Sequence, residues 1–522
     1  MLNDSKGASD DALPSKEGPL GRVMSTSEAQ ITDANVEDNR NGEFQRSFSP
    51  RQIISLGSNI GSGVFIATGK ALANGGPGNM VVAYGLVCSC VWAVLQTLSE
   101  MTIAFPTSGN YIDYAGRWVD PALAFGAGFA EWLGWTAVVG AEAVFFNILV
   151  KYWSADGLPL AASLTIFTVA TLAIFLLPNK AFAWFEYVTS LIKIFLFIII
   201  IFLSIALVAG AGPTGQVHDG SYWRDLPVFK NGFFGFATCS LLAVWAVGDQ
   251  VFIGIMGGEA ESPRYSMAHA TKLVPFRVNI IYMLSVIFVT LLIPSNDDRL
   301  LGGSGVYWFT ISESVYLASR VLRTMAHQKL IPEVIALVDS QGRPVWSLVI
   351  TGATALLLTY LNLNGGGAEV FNWLLSITSA SFFMNWIIIA FTSWRFHQAL
   401  VAQNDQLFSQ VYAWKSVAWP VAPIWLMSVS ILLLACCIGA GIGDLSVAPF
   451  SAYNFFQYVI GILIIVVFTA GYKIIMKTPW RDPKTADLVT GRRILTEAEI
   501  TQLDDYYAMP KWRRFLTYVA LW

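Results

Sequence analysis

Three charged residues lie inside long apolar segments, where a charge needs a chemical reason. Lys193 lies in the apolar segment 187–210, and Glu131 and Glu142 share the segment 122–150. A charge at the centre of a bilayer costs about 2.5–3.5 kcal/mol on insertion scales. Lys193 could replace a bound cation or relay a proton, because burial favours its neutral form. The alternative is that its long stem carries the ammonium group to the lipid headgroups.

The two acidic residues of this set are placed so that they cannot pair with each other. The spacing from Glu131 to Glu142 is close to three helical turns, which puts both carboxyl groups on one helix face, about 16 Å apart along the axis. Each could carry a proton alone or accept hydrogen bonds from a neighbouring helix. We expect the structural role for Glu142, and both roles stay open for Glu131.

A glycine-rich stretch interrupts the first apolar segment. Residues 57–63, GSNIGSG, combine three glycines with small polar side chains. Each Gly costs about 1 kcal/mol against Ala inside a helix, so the stretch predicts an unwound segment near Gly61. Such backbone is tolerated in a membrane only inside protein or beside a cavity. A half-helix beginning near Val64 would direct free N–H groups at a carboxylate there. Close helix packing through small residues is the alternative.

A second interruption lies five apolar segments later. Gly248, Asp249 and Gln250 break the run 233–258 near its middle, and Trp245 precedes them by three residues. Trp245 could close over a ligand, although plain packing explains it equally well. Two interrupted helices at corresponding positions of two halves indicate an inverted-repeat transporter, with the ligand bound at the breaks.

The composition shows which solvent must surround these elements. Of 522 residues, 55% are hydrophobic and only 13% are charged, whereas soluble domains carry about 25% charged residues. A soluble enzyme, a nucleic-acid binder and a disordered scaffold are therefore excluded, and the lipid bilayer is an expected partner. The five cysteines lie in apolar stretches and the four histidines are scattered, so we expect no disulfide framework, no metal site and no cofactor.

Apolar segments long enough to cross a bilayer as helices repeat along the chain. We predict an all-α membrane protein with twelve spans near 53–74, 80–104, 122–150, 163–178, 187–210, 233–258, 276–294, 306–325, 345–363, 368–392, 421–441 and 455–475. Residues 1–48 read as a disordered tail, 49–475 as the transmembrane domain and 476–522 as a second tail. Lys and Arg are enriched in the loops on the side of the N-terminus, which places both tails in the cytoplasm.

Several short motifs occur in a fixed order along these segments. They are FSPRQI (48–53) with IGSGVF (60–65), SEM (99–101) with FPTSG (105–109) and WVDPA (118–122), IK (192–193), GEAESPR (258–264), and VFNWL (370–374) with WRF (394–396). Together they resemble a fungal amino acid permease of the amino acid–polyamine–organocation superfamily. The resemblance implies a five-plus-five inverted repeat with broken first and sixth helices plus two peripheral helices.

The resemblance also implies roles for individual residues. The first break would bind the substrate carboxylate, and backbone carbonyls of the sixth break would hold the amino group. The resemblance assigns the first role to Ile60, Gly61, Ser62 and Gly63 and the second to Ala246, Val247 and Gly248. With their neighbours in the two interrupted segments, Ser58, Trp245 and Asp249, these are the predicted substrate-binding residues. Lys193, which matches a fifth-span lysine of the family, and Glu131 are the predicted proton-coupling residues. The partners would be an amino acid and protons, with no nucleic acid.

Two features depart from the family pattern. The family often has Gly-x-Glu at the sixth break, where this chain has Gly248-Asp249-Gln250. The stretch between Asp298 and Ser319 is also too short for the family's outer loop and full eighth span. The first departure affects the prediction of which side chain the amino acid substrate has. The second affects whether the outer lid of the transporter is complete.

The expected function is import of amino acids at the plasma membrane by alternating access, coupled to protons. Polyamine, choline or 4-aminobutyrate transport is an alternative, although a polyamine would need more acidic residues than these spans offer. A sensor that binds amino acids without transporting them would use the same fold. A membrane-bound enzyme is disfavoured because the spans hold no paired catalytic residues, so we expect no enzyme activity.

Overall fold

The computed structural model describes most of the membrane domain and the C-terminal segment. The described residues are 46, 48–58, 63–154, 157–175, 179–212, 215–297, 300, 313–339, 342–363, 367–443 and 449–521. The side chains are described at all of these positions except 63–66, 145, 148, 149, 152, 175, 179, 180, 183, 249, 313, 367–372 and 375. The predicted tail 1–48 lies outside the described residues except for Arg46 and Phe48.

Helices dominate the described residues, which contain one isolated β-bridge between Phe48 and Ala260. The helices are α1 (Pro50–Gly57), α2 (Gly63–Ala104), α3 (Asn110–Trp118), α4 (Pro121–Ser154), α5 (Leu160–Phe175), α6 (Asn179–Val208), α7 (Ser221–Asp225), α8 (Gly232–Val247), α9 (Ile253–Met256), α10 (Pro263–Leu292), α11 (Glu313–His327), α12 (Val345–Tyr360), α13 (Gly367–Ala402), α14 (Val421–Ile442), α15 (Ala452–Met476), α16 (Glu497–Ala508) and α17 (Lys511–Leu521).

Helices overlap all twelve predicted spans in the described parts of the chain. Nine stretches are long and apolar enough to cross a membrane: Ala67–Ala104, Pro121–Val144, Trp184–Val208, Gly232–Glu259, Pro263–Leu292, Val345–Leu363, Ser376–Ala402, Val421–Ile442 and Ala452–Met476. The other three are the first span, which is divided between α1 and the start of α2, the short apolar α5 and the polar α11. The predicted all-α membrane fold is therefore confirmed.

The first span is broken, as predicted. Ser49 caps α1 through a capping box: its hydroxyl accepts from the Gln52 amide, while the Gln52 side chain accepts from the Ser49 amide. The helix ends at Gly57, and Ser58 has the non-helical torsion angles φ −119° and ψ 29°. The next helix, α2, begins at Gly63. The chain thus runs through two helices where an uninterrupted span would have one.

A second bend separates the first span from the second inside α2. Gly76 has φ 73° and ψ 174°, and Pro77 follows it. A Cβ atom at Gly76 would lie 2.8 Å from the carbonyl oxygen of Pro227, so both the torsion angle and the space require glycine. Pro77 suits the start of the second span because the first helical N–H groups have no intrahelical partner.

The sixth span is also broken. Helix α8 ends at Val247, a 3-10 turn covers Gly248–Phe252, and the single turn α9 follows. The two broken spans touch, since a Cβ atom at Gly57 would lie 2.7 Å from Cδ1 of Ile253. Their positions, five spans apart, match the predicted five-plus-five inverted repeat with α14 and α15 as the two additional spans.

The C-terminal segment packs against one end of the bundle, which we call the tail-bearing end. The Arg492 guanidinium makes two hydrogen bonds to the Asp405 carboxylate, at 2.7 and 3.0 Å. The Arg493 amide donates to the carbonyl of Ala104 at 2.9 Å. Helix α17 contacts α1. Both ends of the described chain therefore lie at the same end of the bundle, as an even number of spans requires.

Candidate functional site

The predicted carboxylate site falls largely on the first break. Ser58 is fully buried, and its hydroxyl donates to the carbonyl of Ile54 at 2.5 Å. Ile60, Gly61 and Ser62 lie outside the described residues, and Gly63 is the first residue of α2. The structure thus gives the two helix ends that face the break, while the roles of these residues remain predictions.

The predicted amino-group site falls on the sixth break. Trp245, Ala246 and Val247 are the buried last residues of α8, and Gly248 opens the 3-10 turn. Val247 has φ −125° and ψ −15°, which departs from helical geometry. Carbonyl groups at the C-terminal end of a helix lack their usual N–H partners, so a ligand's ammonium group could donate hydrogen bonds to them. Asp249 lies in the turn, but its side chain is outside the described part.

Aromatic side chains of α13 lie against the sixth break. A Cβ atom at Gly248 would stand 2.8 Å from Cγ2 of Val244, 3.5 Å from Cζ2 of Trp386 and 3.6 Å from Cγ of Phe382. The ring of Trp135 on α4 meets Phe382 edge-on, with centroids 5.9 Å apart. Gly248 therefore lets α8 approach α13 closely, and a larger residue there would push the break away from these rings.

Asn110, which the sequence analysis did not select, holds the sixth break in place. Its side-chain amide donates to the carbonyl of Val251 at 2.9 Å, within the 3-10 turn. Its backbone is left-handed, with φ 53°, a conformation that Asn tolerates better than most residues. Gly254 leaves the space that the Asn110 side chain fills. The only sequence signal was an Asn directly after the FPTSG motif.

Glu131 is buried and accepts hydrogen bonds from three side chains. The donors are the Tyr111 hydroxyl at 3.1 Å, the Trp135 indole N–H at 3.0 Å and the Asn385 side-chain amide. Tyr111 belongs to α3 and Asn385 to α13, so the carboxyl group ties three helices together. Both partners were missed in the sequence because they lie 20 and 254 residues away along the chain.

A continuous line of contacts connects Glu131 with the sixth break. Glu131 binds Trp135, Trp135 packs on Phe382, and Phe382 borders Gly248. Asn385, the other donor, lies next to Trp386 on the same helix. A change in the charge of this carboxyl group would therefore act on residues that line the break. Glu142, on the same helix, is also buried.

Lys193 lies on the packed face of α6. About half of this helix is exposed, but Ser190, Lys193 and Phe197 form a buried stripe at helical spacing, and Lys193 is only 8% exposed. The Ser190 hydroxyl donates to the carbonyl of Ser55 on α1 at 3.2 Å. Lys193 therefore shares the face of α6 that meets the first span, and its role in proton coupling remains a prediction.

Arg277 on α10 is a further buried charge near this face. It is 1% exposed, and its guanidinium donates to the Ser190 hydroxyl at 3.3 Å. Arg277 was not expected among the site residues because the predicted seventh span begins at 276, which places it at the polar edge of that span. In the structure α10 begins at Pro263, so Arg277 lies well inside the helix.

Acidic residues at the tail-bearing end hold span ends together. The Glu259 carboxylate pairs with the buried Arg320 guanidinium at 3.3 Å. Glu100 lies 2.9 Å from the His397 ring nitrogen and accepts from the Ser416 amide at 3.0 Å. These contacts anchor the ends of the spans to one another and to the loop that contains Ser416. They join α2, the end of the sixth span, α11 and α13.

Comparison with known protein families gives a match over most of the chain. The family described as amino acid permease matches residues 51–312 and 305–484. The two parts of the match overlap at residues 305–312, within the stretch between Asp298 and Ser319 that we expected to be shorter than in the family. The match includes both broken spans and Lys193, Glu131 and Arg277.

Individual relatives agree with this match. The chain is 30% identical to general amino-acid permease GAP2 of Candida albicans over 515 residues, which cover 91% of this chain and 87% of that protein. It is 28% identical to general amino-acid permease GAP1 of Saccharomyces cerevisiae, with 89% and 83% covered.

Among solved structures, a manganese transporter of Eremococcus coleocola aligns with a TM-score of 0.45 and 14% identity, covering 90% of this chain and 97% of that one. The curated relatives named here are permeases, not enzymes, and their names agree with the sequence motifs. This chain belongs to the amino acid permease family and is a multi-pass membrane protein of amino acid transport.

Proposed function

We propose that this protein imports amino acids into the cell by alternating access, driven by proton symport. The observation that carries the proposal is the contact between two broken helices five spans apart, where Gly57 of the first meets Ile253 of the sixth. Broken helices in this arrangement present helix ends to a ligand near the middle of the membrane. A zwitterion suits such a site, because it offers one charge to each break.

The substrate would bind with its carboxylate at the first break and its ammonium group at the sixth. Free N–H groups at the start of α2, around Gly63, attract the anion. Carbonyl groups at the end of α8, around Ala246 and Val247, accept from the ammonium group. The aromatic residues Trp135, Phe382 and Trp386 would border the side chain of the bound amino acid and limit the size that fits.

Two buried groups support coupling to protons. Lys193 lies on the face of α6 that meets the first span, and Glu131 is joined to the sixth break through Trp135 and Phe382. Lys193 therefore shares a helix face with the first span, and Glu131 is linked to the sixth break through two side chains. Protonation of either one would change the charge near the substrate site.

We also propose the plasma membrane as the location, with the tail-bearing end in the cytoplasm. The enrichment of Lys and Arg in the loops at that end supports this orientation. Uptake from the medium would then run from the opposite end towards the tails.

An uptake assay in permease-deficient yeast cells tests the proposal. Cells producing the chain should accumulate labelled amino acids, and a protonophore should abolish the accumulation. Unlabelled amino acids should compete, whereas a polyamine, choline or 4-aminobutyrate should not. Binding of amino acids without accumulation would instead identify a sensor. Absence of both binding and accumulation at normal surface levels would contradict the proposal.

A further inference from the structure

Helix α17 carries an apolar stripe that no part of the described chain covers. Trp512 is 60% exposed, Phe515 67%, Leu516 50% and Val519 57%. Their spacing of i, i+3, i+4 and i+7 places all four within an arc of about 100° on a helix of 3.6 residues per turn. The helix lies at the tail-bearing end of a membrane protein. Because these large apolar side chains are unfavourable in water, we expect an apolar environment to cover the stripe.

Basic residues flank this stripe, and acidic ones are missing. At about 100° per residue, Lys511 falls on one edge of the stripe and Arg513 on the other. Residues 511–522 contain no Asp or Glu. The preceding helix α16 has the opposite character, with Glu497, Glu499, Asp504 and Asp505. Two neighbouring helices thus carry opposite charge, and the basic one exposes its large apolar side chains more, since Ile500 and Tyr507 of α16 are 36% and 43% exposed.

The flank of α17 that carries Lys511 also carries Tyr518, and Tyr518 is held against the bundle near the membrane boundary. The Tyr518 ring packs on His269 of α10 with centroids 4.7 Å apart, and the Lys272 ammonium group lies 5.8 Å from the centre of the Tyr518 ring. One turn beyond Lys272, Phe276 is 56% exposed on the side of the apolar span. Helix α17 therefore lies level with the point where α10 passes from polar to apolar residues.

We propose that α17 is an interfacial helix that lies in the lipid leaflet at the tail-bearing end and prefers anionic lipids. Trp512, Phe515, Leu516 and Val519 would enter the boundary between headgroups and acyl chains, while Lys511 and Arg513 contact lipid phosphate groups. A basic amphipathic helix with Trp, Phe and Leu on one face has this preference. The apolar stripe then continues the lipid-facing surface that Phe276 begins, which favours lipid over a protein partner.

Spin-label accessibility on the full-length protein in nanodiscs tests this inference. The five native cysteines are all buried, so Phe515→Cys and, separately, Val519→Cys can be labelled. Asp505→Cys on the acidic helix α16 is the matched control. In nanodiscs with phosphatidylserine, labels at 515 and 519 should collide more with oxygen than with a water-soluble nickel chelate. The label at 505 should show the reverse.

A second variant tests the charges. Lys511→Gln with Arg513→Gln should shift the label at 515 towards the nickel chelate and remove the difference between nanodiscs with and without phosphatidylserine. Equal nickel access at 515, 519 and 505 in both lipids would overturn the proposal. The proposal would also be overturned if the stripe were accessible to the nickel chelate in nanodiscs but protected in native membranes, because a protein partner would then cover it. Neither reading depends on transport, so failure of the proposed function leaves this test valid.

Discussion

The buried carboxyl group of Glu131 binds donors from three helices, and this arrangement decides what a substitution there does. We expect Glu131→Gln to destabilise the protein by about 1.5–3 kcal/mol, because its amide group would face a donor where the carboxylate accepts a hydrogen bond. Proton-dependent uptake should also decrease in this variant. Thermal unfolding in detergent and uptake at two external pH values measure both effects.

The exposed Glu261 provides the matched control. Glu261→Gln should change neither the unfolding temperature nor the uptake. If Glu131→Gln behaves in the same way, the carboxyl group has no role in coupling.

Lys193 tests the other half of the coupling proposal. Lys193→Met keeps most of the unbranched side chain and removes the ammonium group, so uptake should lose its dependence on the pH gradient. The exposed Lys484 offers the same substitution outside the spans, and Lys484→Met should leave the pH profile intact. An unchanged pH profile in Lys193→Met would remove this lysine from the mechanism.

At the scale of the elements, the sixth break depends on a residue from a different helix. Asn110→Ala removes the donor to the Val251 carbonyl, and the buried carbonyl would lose about 1–3 kcal/mol of stabilisation. We expect a lower unfolding temperature and weaker substrate affinity, since the break is no longer held. Asn454→Ala, at an exposed position at the start of α15, is the control. Equal unfolding temperatures and affinities would show that Asn110 does not position the break.

The position of an element could be predicted from the sequence where the residues that determine it all lie within that element. The breaks at Gly57 and Gly248 were visible because glycine weakens the very helix in which it lies. Asn110 and Asn385 act on segments far away in the chain, and nothing local marks them. The start of α10 at Pro263 was missed because its first turns are polar, although the helix continues through them.

At the scale of the whole molecule, the C-terminal segment is part of the bundle. Arg492 and Asp405 form a bidentate pair between this segment and the loop after α13. Arg492→Ala should release the segment about ten- to hundredfold more often, because hydrogen bonds to charged groups contribute about 1.5–3 kcal/mol. Limited proteolysis of the segment measures the release.

A double-mutant cycle with Asp405→Ala separates this pair from other effects. The double variant should be cleaved no faster than either single variant. Additive rates would mean that the two side chains do not hold the segment together. The sequence predicted only a tail over 476–522, because its partners lie in loops between distant spans.

The central claim is that the first break binds the substrate carboxylate, and a paired glycine substitution tests it most directly. Gly61 lies in the predicted break, whereas Gly85 on the second span has open space where a Cβ atom would be. Labelled amino acid uptake should be compared for Gly61→Val and Gly85→Val at equal surface amounts. We expect Gly61→Val to abolish uptake and Gly85→Val to retain it. Normal uptake by Gly61→Val would show that the first break does not bind the carboxylate.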